Sequence, residues 1–156
     1  NLPGGVFTVT ARADRIEIDP SGMGHILDYK TGSAPSADMV KAGYSPQLTL
    51  TAAILAHGGF KGLGAHEPSE LAYIKITGRK PAGEVSQAGG KKDLNFPKMA
   101  EAAPEGLGRL ITRYDDPARP YLSRTNPEIR KSYAGDYDHL ARVFEWSSEE
   151  EGVDES

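Results

Sequence analysis

The sequence predicts an α/β (α+β) domain in which helices flank a mixed β-sheet. Two observations carry this prediction. Three segments have the alternation or the apolar, β-branched content of strands, and a long apolar helix separates the second segment from the third. The chain has 156 residues, which is enough for one domain with a buried core.

The first two strands are expected to form a long hairpin. Apolar and polar residues alternate from Val6 to Ile18, which predicts the first strand. The tetrapeptide that follows, Asp19 to Gly22, has Pro at its second position and Gly at its fourth, which indicates a tight turn. The segment from Gly24 to Lys30 then returns as the second strand.

Two helices are predicted to follow the hairpin. A short one covers Ser36 to Ala42 and is closed by Gly43. The next has Ser45 as its N-cap, and it runs from Pro46, at the first helical position, to His57. Because this second helix is largely apolar, it should be buried against the sheet.

The second half of the chain is predicted to hold one more strand and two more helices. The strand covers Glu70 to Thr77, and the polar, glycine-rich stretch from Gly83 to Gly90 is expected to be a mobile connection. A helix starting at Pro104 or Glu105 should end at Asp115, although Gly106 and Gly108 weaken that prediction. Residues 117–127 should be irregular, and a last helix should span Gly135 to Trp146.

Composition places the chain among globular proteins. It is 38% hydrophobic and 26% charged, and it has no apolar run near 18 residues, so no membrane partner is expected. The absence of cysteine excludes disulfides and cysteine-ligated iron–sulfur clusters. These features predict a cytoplasmic protein.

The net charge of -4 is unevenly distributed. Residues 145–156 contain six acidic residues and no basic one, so removing them from the 22 acidic and 18 basic residues of the chain leaves 16 against 18, or +2. We expect a domain at 1–144, compatible with phosphate contacts, and a disordered acidic tail at 145–156. Since the sequence opens with Asn1-Leu2-Pro3, we also expect it to be a piece of a longer polypeptide.

Charged residues in the hairpin form a candidate metal site. Asp14 and Asp28 stand among hydrophobic neighbours on the two predicted strands, where carboxylates are costly, and the hairpin makes them plausible cross-strand neighbours. Two carboxylates suit Mg²⁺ or Mn²⁺, and the backbone carbonyl of Tyr29 could be a further ligand. Lys30, two residues from Asp28, projects to the same face and could act on a bound water or on phosphate charge. Gln47, near a helix start, could hold water or a phosphate.

The pattern also has an ordinary structural interpretation. The same Asp, Lys and Arg residues could form weak ion pairs on a surface hairpin, because an Asp-x-Lys tripeptide is common. Arg15 in particular could contact a phosphate or pair with Glu17 or Asp19. His25 is expected to be a surface or edge residue rather than a ligand, and Tyr73 a half-buried strand residue rather than one that stacks on a base.

Three motifs in order resemble the RecB-like branch of the PD-(D/E)xK nuclease superfamily. They are the segment from Ala11 to Asp19 (ARADRIEID), the segment from Ile26 to Gly32 (ILDYKTG) and Gln47-Leu48. The segment from Tyr133 to Val143 also resembles the C-terminal end of alphaproteobacterial AddB proteins, the B subunits of AddAB helicase–nucleases. The resemblance covers nearly the whole chain.

The resemblance implies a restriction-endonuclease-like fold and a defined chemistry. Asp14 and Asp28 would be metal ligands, Lys30 the catalytic lysine and Gln47 the glutamine of the third motif. The reaction would be Mg²⁺-dependent hydrolysis of DNA during double-strand break processing, and the partner would be an AddA-type helicase–nuclease subunit. A nuclease-fold module that only binds DNA or that subunit is the alternative.

The chain departs from the family pattern at several points. Thr51 stands where the family often has Tyr, and Ala11 stands where it has Gly. Related proteins carry an upstream helix whose His or Glu completes the metal shell, and we expect that helix to precede Asn1. The iron–sulfur cluster of some relatives is excluded by the lack of cysteine.

Overall fold

Four strands of the described residues form one mixed sheet with the order β1-β2-β3-β4. The structure, a computed structural model, describes residues 5–78, 80–91 and 94–120. Strands β1 and β2 are antiparallel, β2 and β3 are parallel, and β3 and β4 are antiparallel. The elements in chain order are β1 (Arg15–Ile18), β2 (Gly24–Lys30), α1 (Ala37–Lys41), α2 (Gln47–Ala56), β3 (Pro68–Ile76), β4 (Gly83–Gln87) and α3 (Phe96–Tyr114). The predicted mixed sheet with flanking helices is therefore confirmed.

One hydrophobic core joins the sheet to all three helices. Ile26, Leu71 and Tyr73 supply its sheet side, and each is at most 1% exposed. The helical side consists of Val40 from α1, Leu48, Ala52 and Leu55 from α2, and Phe96 and Ala100 from α3. Burial of α2 against the sheet, predicted from its composition, is confirmed.

Helix α2 lies against β2 at both ends of the strand. At the start of β2, the Cβ of any residue replacing Gly24 would come within 2.6 Å of Leu55 Cδ2. At the other end, Gln47 hydrogen-bonds to Asp28. The four-residue step from Gly24 to Asp28 covers roughly 13 Å along the strand, and the eight-residue step from Gln47 to Leu55 covers roughly 12 Å along the helix. The two segments have nearly equal lengths, so α2 can contact β2 at both places.

The hairpin is shorter than predicted. The turn and β2 match the prediction, with a hydrogen bond from the Gly22 amide to the Asp19 carbonyl at 2.9 Å. Residues 6–14, however, are not in a strand, and Val6 is 87% exposed. Phe7 and Val9 instead line an apolar cavity of about 360 Å³ together with residues of α2 and α3. Alternation alone was misleading here because residues 6–14 pair with no strand in the part of the chain that the structure describes.

Helix boundaries shift slightly in α1 and α2. Ser36 caps α1 by accepting a hydrogen bond from the Met39 amide at 3.3 Å, as a predicted helix start at this position requires. Helix α2 begins at Gln47 with Pro46 as its N-cap residue, so the prediction of Ser45 as the cap was wrong by one position.

Two predictions in the second half of the chain were wrong. The stretch expected to be a mobile connection contains β4, whose residues pair with Ala72–Ile76 of β3. Helix α3 begins at Phe96, capped by the Asn95 side chain, and it continues through Pro104. The predicted helix Gly135–Trp146 and the acidic tail lie outside the described residues, and no helix within them is long and apolar enough to cross a bilayer.

Candidate active site

Three of the predicted site residues meet at the end of β2. Gln47 Nε2 donates a hydrogen bond of 2.6 Å to Asp28 Oδ1. Lys30 Nζ lies 2.6 Å from Asp28 Oδ2 and donates a hydrogen bond of 3.2 Å to Gln47 Oε1. Asp28, Lys30 and Gln47 thus form a closed triangle of polar contacts. The Gln47 amide, on α2, connects that helix to Asp28 and Lys30 of β2.

Asp28 is buried, which is unusual for a carboxylate. It is 2% exposed, and its Oδ2 atom receives no hydrogen bond within the described part of the chain. The contact from Lys30 to Oδ2 is therefore a charge interaction that lacks the angles of a hydrogen bond. A buried carboxylate oxygen with lone pairs still free is the kind of atom that coordinates a cation.

Asp14 is held at the end of the hairpin, but its setting differs from the prediction. It precedes β1 rather than lying within it, and its side chain is exposed. The register pairs Arg15 with Leu27, so extending it by one residue places Asp14 opposite Asp28. Asp14 Oδ2 accepts a hydrogen bond of 3.0 Å from the Tyr29 amide, which holds the carboxylate at the end of the hairpin.

The backbone of Tyr29 faces the same edge of the sheet as Asp14. In a strand the amide and carbonyl of one residue point toward the same neighbour, and the Tyr29 amide bonds to Asp14. The carbonyl proposed as a ligand is therefore directed beyond the end of β1. The Tyr29 side chain is 38% exposed and accepts a hydrogen bond from Arg15 at 3.3 Å.

Tyr73 is a site neighbour that the sequence analysis missed. It is paired in register with Asp28 across the parallel β2–β3 ladder, and it is 1% exposed rather than half-buried. Burial, and secondarily the charge of Asp28, raises the pKa of its phenol to about 12, so the hydroxyl stays protonated at neutral pH. Nothing in the sequence specifies which residue of β3 lies beside Asp28, because that register depends on how α1 and α2 cross between the strands.

The residues at this site fit a divalent cation only in part. Asp28 Oδ2 is a buried free acceptor, and hard carboxylate and carbonyl oxygens are the ligands that Mg²⁺ and Mn²⁺ prefer. Asp28, Asp14 and the Tyr29 carbonyl are the groups that would hold it. Within residues 5–78, 80–91 and 94–120, no group of three or more His, Cys, Asp or Glu side chains is placed to bind a metal. Water or substrate oxygens would complete the coordination.

A second polar cluster surrounds His25 on the opposite face of the sheet. Its Nδ1 lies 3.0 Å from Glu70 Oε2 and its Nε2 lies 3.3 Å from Asp19 Oδ2. The hydrogen bond to Glu70, then that to Asp19, raises the pKa of His25, and the bond to His25 lowers the pKa of Glu70. Gln87 also donates to Glu70 at 2.8 Å. His25 is partly buried and paired with carboxylates, so it is more constrained than the predicted surface residue.

Arg15 and His57 have structural roles in this arrangement. Arg15 forms an exposed ion pair with Glu17, one of the two pairings expected from the sequence. His57 follows α2, where its Nδ1 lies 2.8 Å from the Ala53 carbonyl. Neither residue contacts Asp28, Lys30 or Gln47 through a described hydrogen bond or ion pair.

A mixed sheet whose second strand ends in a buried Asp and a Lys, joined to a Gln at a helix start, defines a class of nuclease-type domains. The sequence model of the PD-(D/E)XK nuclease superfamily matches residues 2–133 of this chain. The chain belongs to that superfamily, and its fold is of the restriction-endonuclease-like type. All five predicted site residues, Tyr29 included, lie within the matched range.

Similar proteins occur in several Rickettsia species. An uncharacterized protein of Rickettsia bellii is 30% identical over 127 residues, which is 73% of this chain and 15% of that protein. An uncharacterized protein of Rickettsia typhi is 38% identical over 78 residues, which is 49% of this chain and 9% of that protein. An uncharacterized protein of Rickettsia felis is 42% identical over 60 residues, which is 38% of this chain and 7% of that protein. The chain thus spans less than a sixth of these relatives. No solved structure matches it.

Proposed function

We propose that this chain is a metal-dependent DNA nuclease domain that hydrolyses phosphodiester bonds with Mg²⁺, or alternatively Mn²⁺. Membership of the nuclease superfamily supports the general chemistry. The observation that carries the proposal is the buried Asp28 carboxylate, whose Oδ1 accepts a hydrogen bond from Gln47 and whose Oδ2 is ion-paired with Lys30 without a hydrogen bond. Stability alone does not favour this arrangement, because removing a carboxylate and an ammonium from water is costly even when the two charges are paired.

Each residue of the triangle then has a distinct role. Asp28, with Asp14 and the Tyr29 carbonyl, would hold the cation. When bound, a divalent cation supplies Lewis acidity toward water and neutralises phosphate charge. Lys30 places a positive charge beside Asp28, where it would stabilise negative charge developing on the phosphate. Gln47 fixes the orientation of both side chains through its two hydrogen bonds.

The finer assignment rests on the motif resemblance. We propose that the domain is RecB-like and forms the C-terminal part of an AddB-type subunit, acting as an exonuclease in double-strand break processing. Its partners would be DNA and an AddA-type helicase–nuclease subunit, and the site of action would be the cytoplasm. The much greater length of the Rickettsia relatives is compatible with a domain carried by a large polypeptide.

Cleavage of linear DNA by the native assembly tests the proposal. Asp28→Ala and Lys30→Ala should each reduce Mg²⁺-dependent cleavage by about 1,000-fold or more, because several kcal/mol of transition-state stabilisation depend on the cation and its neighbours. Far-UV circular dichroism should remain that of the wild type. Asp116→Asn is the matched control, since its exposed side chain accepts a hydrogen bond only from the nearby Ala118 amide among the described residues. Normal cleavage by both alanine variants would refute the proposal.

A second candidate is a nuclease-fold module that binds DNA or its partner subunit without cleaving. The observation that favours it is the lack of a third carboxylate or histidine ligand among the described residues. Isothermal titration of the intact assembly with Mg²⁺ and Mn²⁺ separates the two. Absence of metal binding together with absence of cleavage would support the binding module.

A further inference from the structure

The phenol of Tyr73 has a polar atom that the described structure leaves unused. Tyr73 is 1% exposed, and its hydroxyl has no hydrogen-bond partner within residues 5–78, 80–91 and 94–120. An unpaired hydroxyl inside a protein is unfavourable, and the same ring without its oxygen would fill the same space. A phenylalanine would therefore serve the core better than this tyrosine does, unless the hydroxyl has a partner that binds from outside.

The position of Tyr73 indicates where that partner binds. Its register partner on β2 is Asp28, the buried carboxylate of the candidate site. Lys30 Nζ lies 5.9 Å from the centroid of the phenol ring, within the range of a cation–π contact. Tyr73 thus lies beside Asp28 in the sheet and near the Lys30 ammonium, and its ring is also part of the core.

Two residues paired in register across β2 and β3 each have a buried side-chain oxygen that makes no hydrogen bond among the described residues. These oxygens are the Tyr73 hydroxyl and Asp28 Oδ2, and they do not bond to each other. One is a donor and the other an acceptor of hydrogen bonds or a ligand for a cation. Asp28 Oδ2 is ion-paired with Lys30, whereas the Tyr73 hydroxyl has no polar partner among the described residues.

We propose that the Tyr73 hydroxyl donates a hydrogen bond to an oxygen atom that occupies the site beside Asp28, supplied either by water or by a DNA phosphate. Tyr73 is then a binding residue of the site as well as a core residue. This inference rests on the proposed nuclease function, and it adds a donor from β3 to a site otherwise built from β2, α2 and Asp14, the residue before β1. The hydroxyl would orient the incoming oxygen, while the ring supports the Lys30 ammonium.

The test compares Tyr73→Phe with the wild type, because this change removes the hydroxyl and keeps the ring. In the metal-free protein the denaturation midpoint should stay unchanged or rise, since no described internal hydrogen bond is lost. If the oxygen belongs to water, the Kd for Mg²⁺ alone should weaken by about tenfold or more. If it belongs to phosphate, Mg²⁺ affinity should hold, while DNA affinity measured with Ca²⁺ falls and cleavage drops by about 100-fold.

Tyr44→Phe is the matched control, because Tyr44 is 42% exposed between α1 and α2. It should behave as wild type in all three measurements. A Tyr73→Phe variant with wild-type metal affinity, DNA affinity and cleavage would overturn the inference and leave the proposed function standing. A lowered midpoint in its metal-free form would also overturn it, by showing an internal partner for the hydroxyl. A wild type that binds no metal and cleaves no DNA would refute both.

Discussion

Gln47 and Asp28 connect the first residue of α2 to the end of β2 through a hydrogen bond of 2.6 Å. Since α1 lies between them in the chain, this contact closes a loop of 19 residues. The same Gln47 accepts from Lys30, so one neutral side chain orients both charged members of the candidate site. Its position explains why an amide is suited here, because it can donate to a carboxylate and accept from an ammonium at once.

Replacing Gln47 by Met should weaken the site without removing a ligand. The variant keeps the length of the side chain but offers no donor to Asp28 and no strong acceptor to Lys30. We expect the Kd for Mg²⁺ to weaken by about 10–100-fold, as for other residues that orient metal ligands. Isothermal titration measures this directly. Gln87→Met is the control, because Gln87 donates to a carboxylate outside the site, that of Glu70. Equal affinities of Gln47→Met and wild type would contradict the orienting role.

Replacing Lys30 by Met should separate metal binding from catalysis. The ammonium lies 2.6 Å from Asp28 Oδ2, where it opposes a bound cation by charge repulsion. The variant should bind Mg²⁺ as tightly as the wild type or more tightly, while its cleavage rate falls by about 100-fold or more. Calorimetry and a gel-based cleavage assay give the two quantities. Lys61→Met, in a loop outside the site, should change neither. Loss of metal affinity in Lys30→Met would show that the lysine instead supports the ligand set.

Replacing Gly24 by Ala should destabilise the fold. The added Cβ would meet Leu55 Cδ2 at 2.6 Å, and Leu55 is fully buried, so it has no room to move. We expect the free energy of unfolding to fall by about 1–3 kcal/mol, as for other overpacked cores. Urea denaturation measures the change. A Cβ at Gly106 in α3 would meet only Arg109 Nη2, at an ordinary contact distance of 3.7 Å, so Gly106→Ala should instead stabilise by about 0.5–1 kcal/mol. A neutral Gly24→Ala would show that α2 can shift away from β2.

The stability of the protein should depend on pH through His25. Its pKa is raised above the ordinary 6.5 by Glu70, so its stabilising contribution is complete below pH 6.5 and is lost as pH rises through the raised pKa. Glu70 acts oppositely: its lowered pKa gives a contribution that is present above pH 4.5 and lost as pH falls. The urea midpoint of the wild type should therefore decrease between pH 6 and 8 more than that of His25→Gln. Glu70→Gln should remove most of this extra decrease in the urea midpoint. Identical pH profiles in all three proteins would contradict the role of His25.

Parts of the fold that are governed by local chemistry were predictable from the sequence. Strand β2 has the predicted bounds because a strong turn precedes Gly24 and Gly32 follows shortly after Lys30. Strand β4 was missed because it is polar and lies at the edge of the sheet, where pairing with β3 rather than its own side chains forms the strand. Helix α3 was predicted too short because Pro104 breaks the local pattern, which packing of Phe96 and Ala100 overrides.

The candidate site was predictable to a similar extent. Spacing of two residues on a strand places Asp28 and Lys30 on one face, and the helix start brings Gln47 to them. The distinction between Asp28, which is buried, and Asp14, which is exposed, could not be predicted, because both stand among hydrophobic neighbours in the sequence. It depends on α2 covering one and not the other.

The attachment of α2 to β2 at both ends has a consequence for how the protein would unfold and lose activity on heating. Gly24 contacts Leu55 at one end, and Asp28 contacts Gln47 at the other, so the site and the core share the same pair of elements. Thermal inactivation and global melting should then coincide in one transition. Catalytic activity, once measured, would serve as a direct readout of the native population.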